Sequence, residues 1–182
     1  MLSDIVETTP IDANGVRLET LPAFGRLNFR GRGAAVSAMG EAFGLALPQE
    51  ACRAAISGSR AALWLGPDEW LLLLMLPSDT DAVIAAAATS LAGQPHSLVD
   101  ISERQYALGL SGRQAATVLA GGNPLDFDLR AFPVGMCTRT VMGKAELAIW
   151  RTEPDRFHIE VWRSFAPYIR GFLREHMREF GA

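Results

Sequence analysis

Lysine is almost missing from this 182-residue chain: Lys144 stands alone among 17 basic residues, and the rest are arginine. Its setting excludes the G-x-x-x-x-G-K-[ST] phosphate loop. Arginine in place of lysine has two readings, a codon bias or a surface made for buried contacts, where the planar guanidinium is favoured. Cysteine is scarce too. Cys52 and Cys137 lie far apart without C-x-x-C spacing, so two free thiols are expected and neither a zinc site nor a redox pair. Three histidines, His96, His158 and His176, have no spacing that sets two imidazoles on one helix face, which leaves a metal site without support. The net charge is −3 and no segment is a block of one sign, so a nucleic-acid partner is not expected. The longest apolar runs, Leu71–Pro77 and Ala82–Ala88, fall far short of the roughly 18–20 residues that cross a bilayer, so no membrane role is expected. Asp4 and Glu7 sit near the start, with no basic stretch before an apolar one. No signal peptide is expected, and the expected compartment is the cytoplasm.

What is present suits a folded chain: 49% apolar and 20% charged residues, enough to bury a core in one domain or two small ones. The first dozen residues read as a loose lead-in. Val16–Leu21 and Arg26–Arg30 alternate apolar and polar side chains at period two and read as strands. Gly33–Phe43 reads as a helix with Val36, Met39, Ala42 and Phe43 on one face and Gly44 closing it. Ala61–Leu65 and Glu69–Leu74 form a hairpin across Gly66-Pro67-Asp68. Asp79 or Thr80 is positioned to cap an alanine-rich helix ending near Leu91. The second half reads in the same terms. Strands Leu98–Ile101 and Arg104–Leu110 precede a helix over Arg113–Ala120, and strands Val134–Val141, Ala145–Arg151 and Arg156–Val161 follow. Ser164 is then placed to cap a last helix with Phe165, Ile169, Phe172, Leu173 and Phe180 in one apolar stripe.

Two words recur in the same order. Trp64–Trp70 corresponds to Trp150–Phe157, each running strand, Pro-Asp turn, aromatic and strand. LNFRGRGAAVSAMG and LGLSGRQAATVLAG both run strand, glycine turn and helix. The expected fold is therefore α+β, with two similar ββαββα halves over 1–94 and 95–182, as a pseudo-repeat or one integrated domain. Its sheets are antiparallel, with helices packed on one face.

Chemistry is harder to find. No G-x-S-x-G nucleophile elbow exists. Gly31-Arg32-Gly33 lies between a strand and a helix, but Val36 stands where a dinucleotide fingerprint needs its third glycine, so a tight turn is expected. His158 alternates with Phe157 and Ile159, which points it towards solvent or an edge. Asp100, next to Ser102, reads as a structural cap of a turn. Asp126 and Asp128 in PLDFDLR are expected to begin a helical turn. Cys137 could be activated by Arg139, which shares its strand face; a buried structural thiol is the favoured alternative.

Taken together, LVDISERQYALGLSG, NPLDFDLRAFPVGMCTRTVMGKAELAIW and FHIEVWRSFAPYI resemble, in order and across nearly the whole chain, the gamma subunit of heterotetrameric sarcosine oxidase. The tract Phe132–Lys144 and the VWRSFAPY run are its most specific parts. The resemblance implies a fold shared with the folate-binding aminomethyltransferases. It also implies a complex of alpha, beta, gamma and delta subunits that oxidises sarcosine with oxygen to glycine and hydrogen peroxide and passes the one-carbon unit to tetrahydrofolate. FAD, FMN, NAD and tetrahydrofolate are implied for the whole complex and no cofactor for this chain, which would pack mainly against alpha without catalytic residues. Relatives of the iron–sulfur repair type carry K-G-C-Y-x-G-Q-E where this chain has Val134-Gly135-Met136-Cys137-Thr138-Arg139-Thr140, so no folate ligand carries over. A stand-alone folate-binding or one-carbon transfer protein, and a homodimer of the isolated chain, remain open alternatives. Cys137, Arg139, Trp162 and Arg163 are the expected partner interface, because they set arginine beside large or apolar groups.

Overall fold

Runs such as Trp70–Leu74, apolar on both faces, suit a central strand, and alternating runs suit strands that bury one side. In the computed structural model, which describes residues 8–13 and 15–179, these rules build eleven strands and four helices. Phe180 and the first seven residues, with Asp4 and Glu7, lie outside the described residues. The strands are β1 (Ile11–Ala13), β2 (Val16–Thr20), β3 (Gly25–Gly31), β4 (Ala54–Ser57), β5 (Arg60–Gly66), β6 (Glu69–Leu74), β7 (His96–Asp100), β8 (Gln105–Ser111), β9 (Cys137–Met142), β10 (Ala145–Glu153) and β11 (Arg156–Trp162). The helices are α1 (Ala34–Phe43), α2 (Thr80–Ser90), α3 (Ala115–Ala120) and α4 (Ala166–Arg178).

All described strand pairs are antiparallel, in one sheet ordered β1-β2-β8-β11-β10-β9 and another ordered β4-β5-β6-β3-β7. The α+β class is thus as expected. The chain divides into two compact units, one spanning Ala23–Ser102 and the other the residues up to Pro22 together with Glu103 onward. These units do not coincide with the expected halves 1–94 and 95–182. The reason is strand pairing: β2 sets Leu18 opposite Leu110 of β8, while β7 sets Leu98 opposite Phe29 of β3.

In the unit Ala23–Ser102, Leu27, Phe29, Ala62, Trp70, Leu72 and Leu74 form a buried face covered by Ala35, Val36, Met39 and Phe43 of α1 and Val83 and Ala87 of α2. The Trp70 indole N–H donates to the Pro48 carbonyl at 2.8 Å, so the largest core ring leaves no polar group stranded. Gly44 ends α1 at φ 69°, the left-handed cap its sequence position foretold, and its N–H reaches the carbonyls of Glu41 and Gly40. In the flanking unit, Leu18, Leu108, Leu110, Leu147, Ile149, Phe157, Ile159 and Val161 meet α3 through Val118 and Leu119, and α4 through Ile169, Leu173 and Met177.

Several local expectations are corrected. Strand β4 and the short β1 add to the expected set. Neither Asp79 nor Thr80 caps α2 with its side chain. A 3-10 turn over Pro77–Asp79 leads into the helix, and the Thr80 N–H bonds the Pro77 carbonyl. Ser164 does not cap α4 either, because Arg163–Phe165 is a second 3-10 turn, with the Ala166 N–H on the Arg163 carbonyl. Phe165 accordingly leaves the core stripe and is exposed, whereas Ile169 and Leu173 are buried.

Candidate functional site

In the flanking unit, α3 and α4 cover one face of the sheet; register fixes what the other face carries. Cys137 of β9 lies opposite Trp150 of β10, which lies opposite His158 of β11, and that in turn faces Gly109 of β8. The next row reads Arg139, Ala148, Glu160 and Ala107. One pleat further, Val141 faces Glu146, and Trp162 faces Gln105. Side chains two apart on a strand share a face, so Cys137 and Arg139 do stand together, with Thr138 and Thr140 on the helix side.

These rows differ sharply in burial. Cys137 is 0% exposed, the one expected interface residue that presents no surface of its own. Arg139 is exposed, and Trp162 is 44% exposed. Arg163 is half-buried, its guanidinium 5.4 Å from the Tyr106 ring centroid and 3.3 Å from Glu103. The Arg104 guanidinium lies 4.9 Å from the Trp162 ring centroid, a cation–π stack between the turn before β8 and the end of β11. The sequence places Trp162 and Arg163 together but gives no local sign of Arg104, 58 positions earlier in a chain whose pairing brings them side by side.

His158 is a correction. It is 7% exposed, not solvent-facing, and its Nε2 lies 2.7 Å from Oε1 of Glu160, which is 0% exposed. Alternation misleads here because both faces of β11 are buried. The His158 ring also packs 5.9 Å from Trp150, whose indole N–H is buried without an acceptor among the described residues. The available signal was the pair itself: His and Glu two apart in Phe157-His158-Ile159-Glu160-Val161 face the same way.

The other acidic candidates are structural. Asp100 Oδ1 accepts the Ser102 N–H at 2.8 Å and the Ser102 hydroxyl at 2.6 Å, the expected turn cap. Asp128 does begin the expected turn, its carbonyl accepting the N–H groups of Ala131 at 3.0 Å and Phe132 at 2.7 Å, and no helix continues from it. The Asp126 and Asp128 carboxylates accept the N–H groups of Asp128 and Arg130, making successive side-chain-closed turns. Arg130 holds the Asp128 carboxyl below the usual carboxylate range. Arg151, 2% exposed, clamps the loop ahead of β9. Its Nη1 donates to the carbonyls of Phe127 at 3.0 Å and Phe132 at 2.5 Å, and its Nε and Nη2 donate to Pro154. Burial pulls its guanidinium below the usual arginine value.

In the unit Ala23–Ser102, the Gly31-Arg32-Gly33 segment is the expected tight turn, with Gly33 ahead of α1. Arg32 and Arg30 both engage Asp68, at 2.8 and 3.2 Å, and Arg32 first, then Arg30, hold its carboxyl below the ordinary range. An open groove of about 640 Å³ runs between α1 and the following segment, lined by Gly33, Ser37, Gly40, Glu41 and Gln49 among others. Its only charged lining residue is Glu41, so it does not fit a folate tail or a flavin phosphate, both anionic. No group of three or more His, Cys, Asp or Glu among the described residues is placed to hold a metal. No described helix is long and apolar enough to cross a membrane.

Comparison with known proteins decides the family. The sarcosine oxidase, gamma subunit family matches residues 30–179. The chain belongs to that family. It is 33% identical over 149 residues to the sarcosine oxidase subunit gamma of Corynebacterium sp. (strain P-1), covering 80% of this chain and 71% of that one. It is 31% identical over 147 residues to the Arthrobacter sp. subunit gamma, with 80% and 71% covered. Among solved structures, it superposes on a chain of heterotetrameric sarcosine oxidase from Corynebacterium sp. U-96, in complex with pyrrole 2-carboxylate. The TM-score is 0.85 at 28% identity, over 94% of this chain and 88% of that one. The glycine cleavage system aminomethyltransferase T from Bartonella henselae follows at TM-score 0.66 and 16% identity, over 87% and 45%, a likeness of fold alone. This gamma-subunit chain therefore shares a fold with an aminomethyltransferase, as the sequence resemblance implied.

Proposed function

We propose that this chain is the non-catalytic gamma subunit of a tetrahydrofolate-linked sarcosine oxidase. In that complex sarcosine, oxygen and tetrahydrofolate yield glycine, hydrogen peroxide and the one-carbon adduct of the folate. FAD, FMN, NAD and the folate belong to the other subunits, and this chain serves assembly, chiefly with alpha. The superposition at TM-score 0.85 over 94% of the chain supports the reading most strongly. The purified chain should be colourless and should release no peroxide from sarcosine, while the four subunits co-expressed should do so. A flavin band that survives gel filtration of this chain alone, or micromolar tetrahydrofolate binding by calorimetry, would favour a stand-alone one-carbon protein instead.

Docking on alpha is assigned to the exposed margin of the six-stranded sheet, with Arg139, Trp162 and Arg163 as contacts. Arg139→Glu should lower co-purification with alpha yet shift the unfolding free energy of the isolated chain by only about 0.5 kcal/mol, as surface changes do. Normal assembly of that variant would refute the assignment; unfolding of the variant would make Arg139 structural.

The halves 1–94 and 95–182 are, in this reading, duplicated segments that have exchanged their first strands. Three features support it. The sheet orders β4-β5-β6-β3-β7 and β9-β10-β11-β8-β2 correspond strand for strand. Both hairpins carry a register shift before the turn, between Trp64 and Gly66 and between Arg151 and Glu153. Both recurring words that end in a helix begin in the strand that adjoins the borrowed one.

A further inference from the structure

We propose that the end of the six-stranded sheet formed by Arg104, Lys144, Trp162, Phe165 and Tyr168 receives a carboxylate-bearing segment of a neighbouring subunit. The proposal rests on the gamma-subunit reading above and names the chemistry of the partner at that surface. Ten large apolar side chains among the described residues are well exposed, and four of them, Val141, Trp162, Phe165 and Tyr168, belong to this one end. Register sets Val141 opposite Glu146 on β10 and Trp162 opposite Gln105 on β8, so the row crosses strands about 4.8 Å apart. The Tyr168 hydroxyl accepts the Lys144 N–H at 3.3 Å, which pins its ring against the β9–β10 turn at the same end. A concentration of exposed aromatic surface on one side of a soluble unit marks a contact site.

The charges select the partner. Arg163 is already matched by Glu103 at 3.3 Å. Arg104 and Lys144 have no carboxylate of the described residues within 4 Å. Glu146 is the one exposed carboxylate of the row outside an ion pair. The patch is thus net cationic in a chain whose overall charge is −3. Arg104 is held over the Trp162 indole, so little further side-chain order is needed for its fork to take a carboxylate. Two cations among four large apolar groups suit an acidic protein segment with an apolar side chain at its centre.

The test is co-expression of this chain with the other three subunits, a tag on alpha, and measurement of the chain retained through low-salt and high-salt washes. Trp162→Ala and Arg104→Glu should each lower retention roughly tenfold or more. Ile56→Ala, which alters a still more exposed apolar residue in the other unit, should leave it unchanged. Retention of the wild-type chain should fall as salt rises. Wild-type retention with both patch variants unaffected, or loss confined to Ile56→Ala, overturns the docking surface; salt-independent retention overturns its acidic partner. If the wild-type chain itself is never retained, the gamma-subunit reading fails, a separate result. Arg104→Gln and the unfolding midpoints of the isolated variants separate lost contact from lost fold.

Discussion

In Ala23–Ser102, the buried polar or charged residues are Arg26 and Thr80, set among Leu27, Phe29, Trp70 and the Leu71–Leu74 run. The flanking unit has the same helices-on-one-face plan but buries Asn123, Arg151, His158, Glu160 and Arg170. It also gathers the exposed aromatics at one end. Two units of similar strand order thus divide their work: one is held almost wholly by apolar packing, the other by packing together with buried charge such as the Arg151 clamp and the His158–Glu160 pair. Hydrophobic packing tolerates changes of identity at constant volume, whereas a buried ionic clamp requires one particular side chain. The flanking unit is therefore where single substitutions have the most specific consequences.

The largest effect should come from the apolar unit. Phe29→Ala removes a ring 5.9 Å from Trp70 at the centre of its core and should cost about 3–5 kcal/mol in denaturant unfolding. A loss below about 1 kcal/mol would show that this core is not what holds the unit. Arg151→Ala comes next. It strands the Phe127, Phe132 and Pro154 carbonyls and removes the cation 4.7 Å from the Phe157 ring, for an expected loss of about 2–4 kcal/mol. Arg151→Met should recover little, because volume without donors does not replace the clamp; full recovery would erase the contrast between the units.

The smallest effect concerns Asp68, whose carboxyl is held low by Arg32 and Arg30. A depressed folded value contributes stability at pH above the ordinary carboxylate value of about 3.9, and that contribution disappears as pH falls through the folded value. The stability difference between the wild-type chain and Asp68→Asn should therefore shrink from about pH 6 to about pH 3. A difference that grows on acidification would contradict the ion-pair assignment.

Much of this layout is legible in the residues. The alternation in Arg26–Arg30, the glycine stop at Gly44 and the Pro-Asp turns locate strands, a helix end and hairpins because each is set by local backbone preference. What depends on the partner strand is not legible. β4 is short and half-exposed, and its four residues, Ala-Ala-Ile-Ser, carry no alternation to announce a strand. His158 breaks the inside–outside rule because strand β11 is buried on both faces, which alternation alone does not report. Helical periodicity carried back to Phe165 sets it in the core stripe, but Phe165 closes the 3-10 turn and α4 begins one residue later, at Ala166. Of the expected interface, Trp162, Arg163 and Arg139 reach the surface and Cys137 does not. A residue's type suggests contact chemistry, but only the tertiary pairing says whether the partner can reach it.

The most direct test of the central claim is native mass spectrometry of the co-expressed complex, drawn through a tag on the alpha subunit. The account predicts one copy of this chain with alpha, beta and delta, and sarcosine-dependent peroxide production by the assembly but not by this chain alone. A three-subunit complex that excludes the chain, or a free chain that oxidises sarcosine unaided, would contradict it.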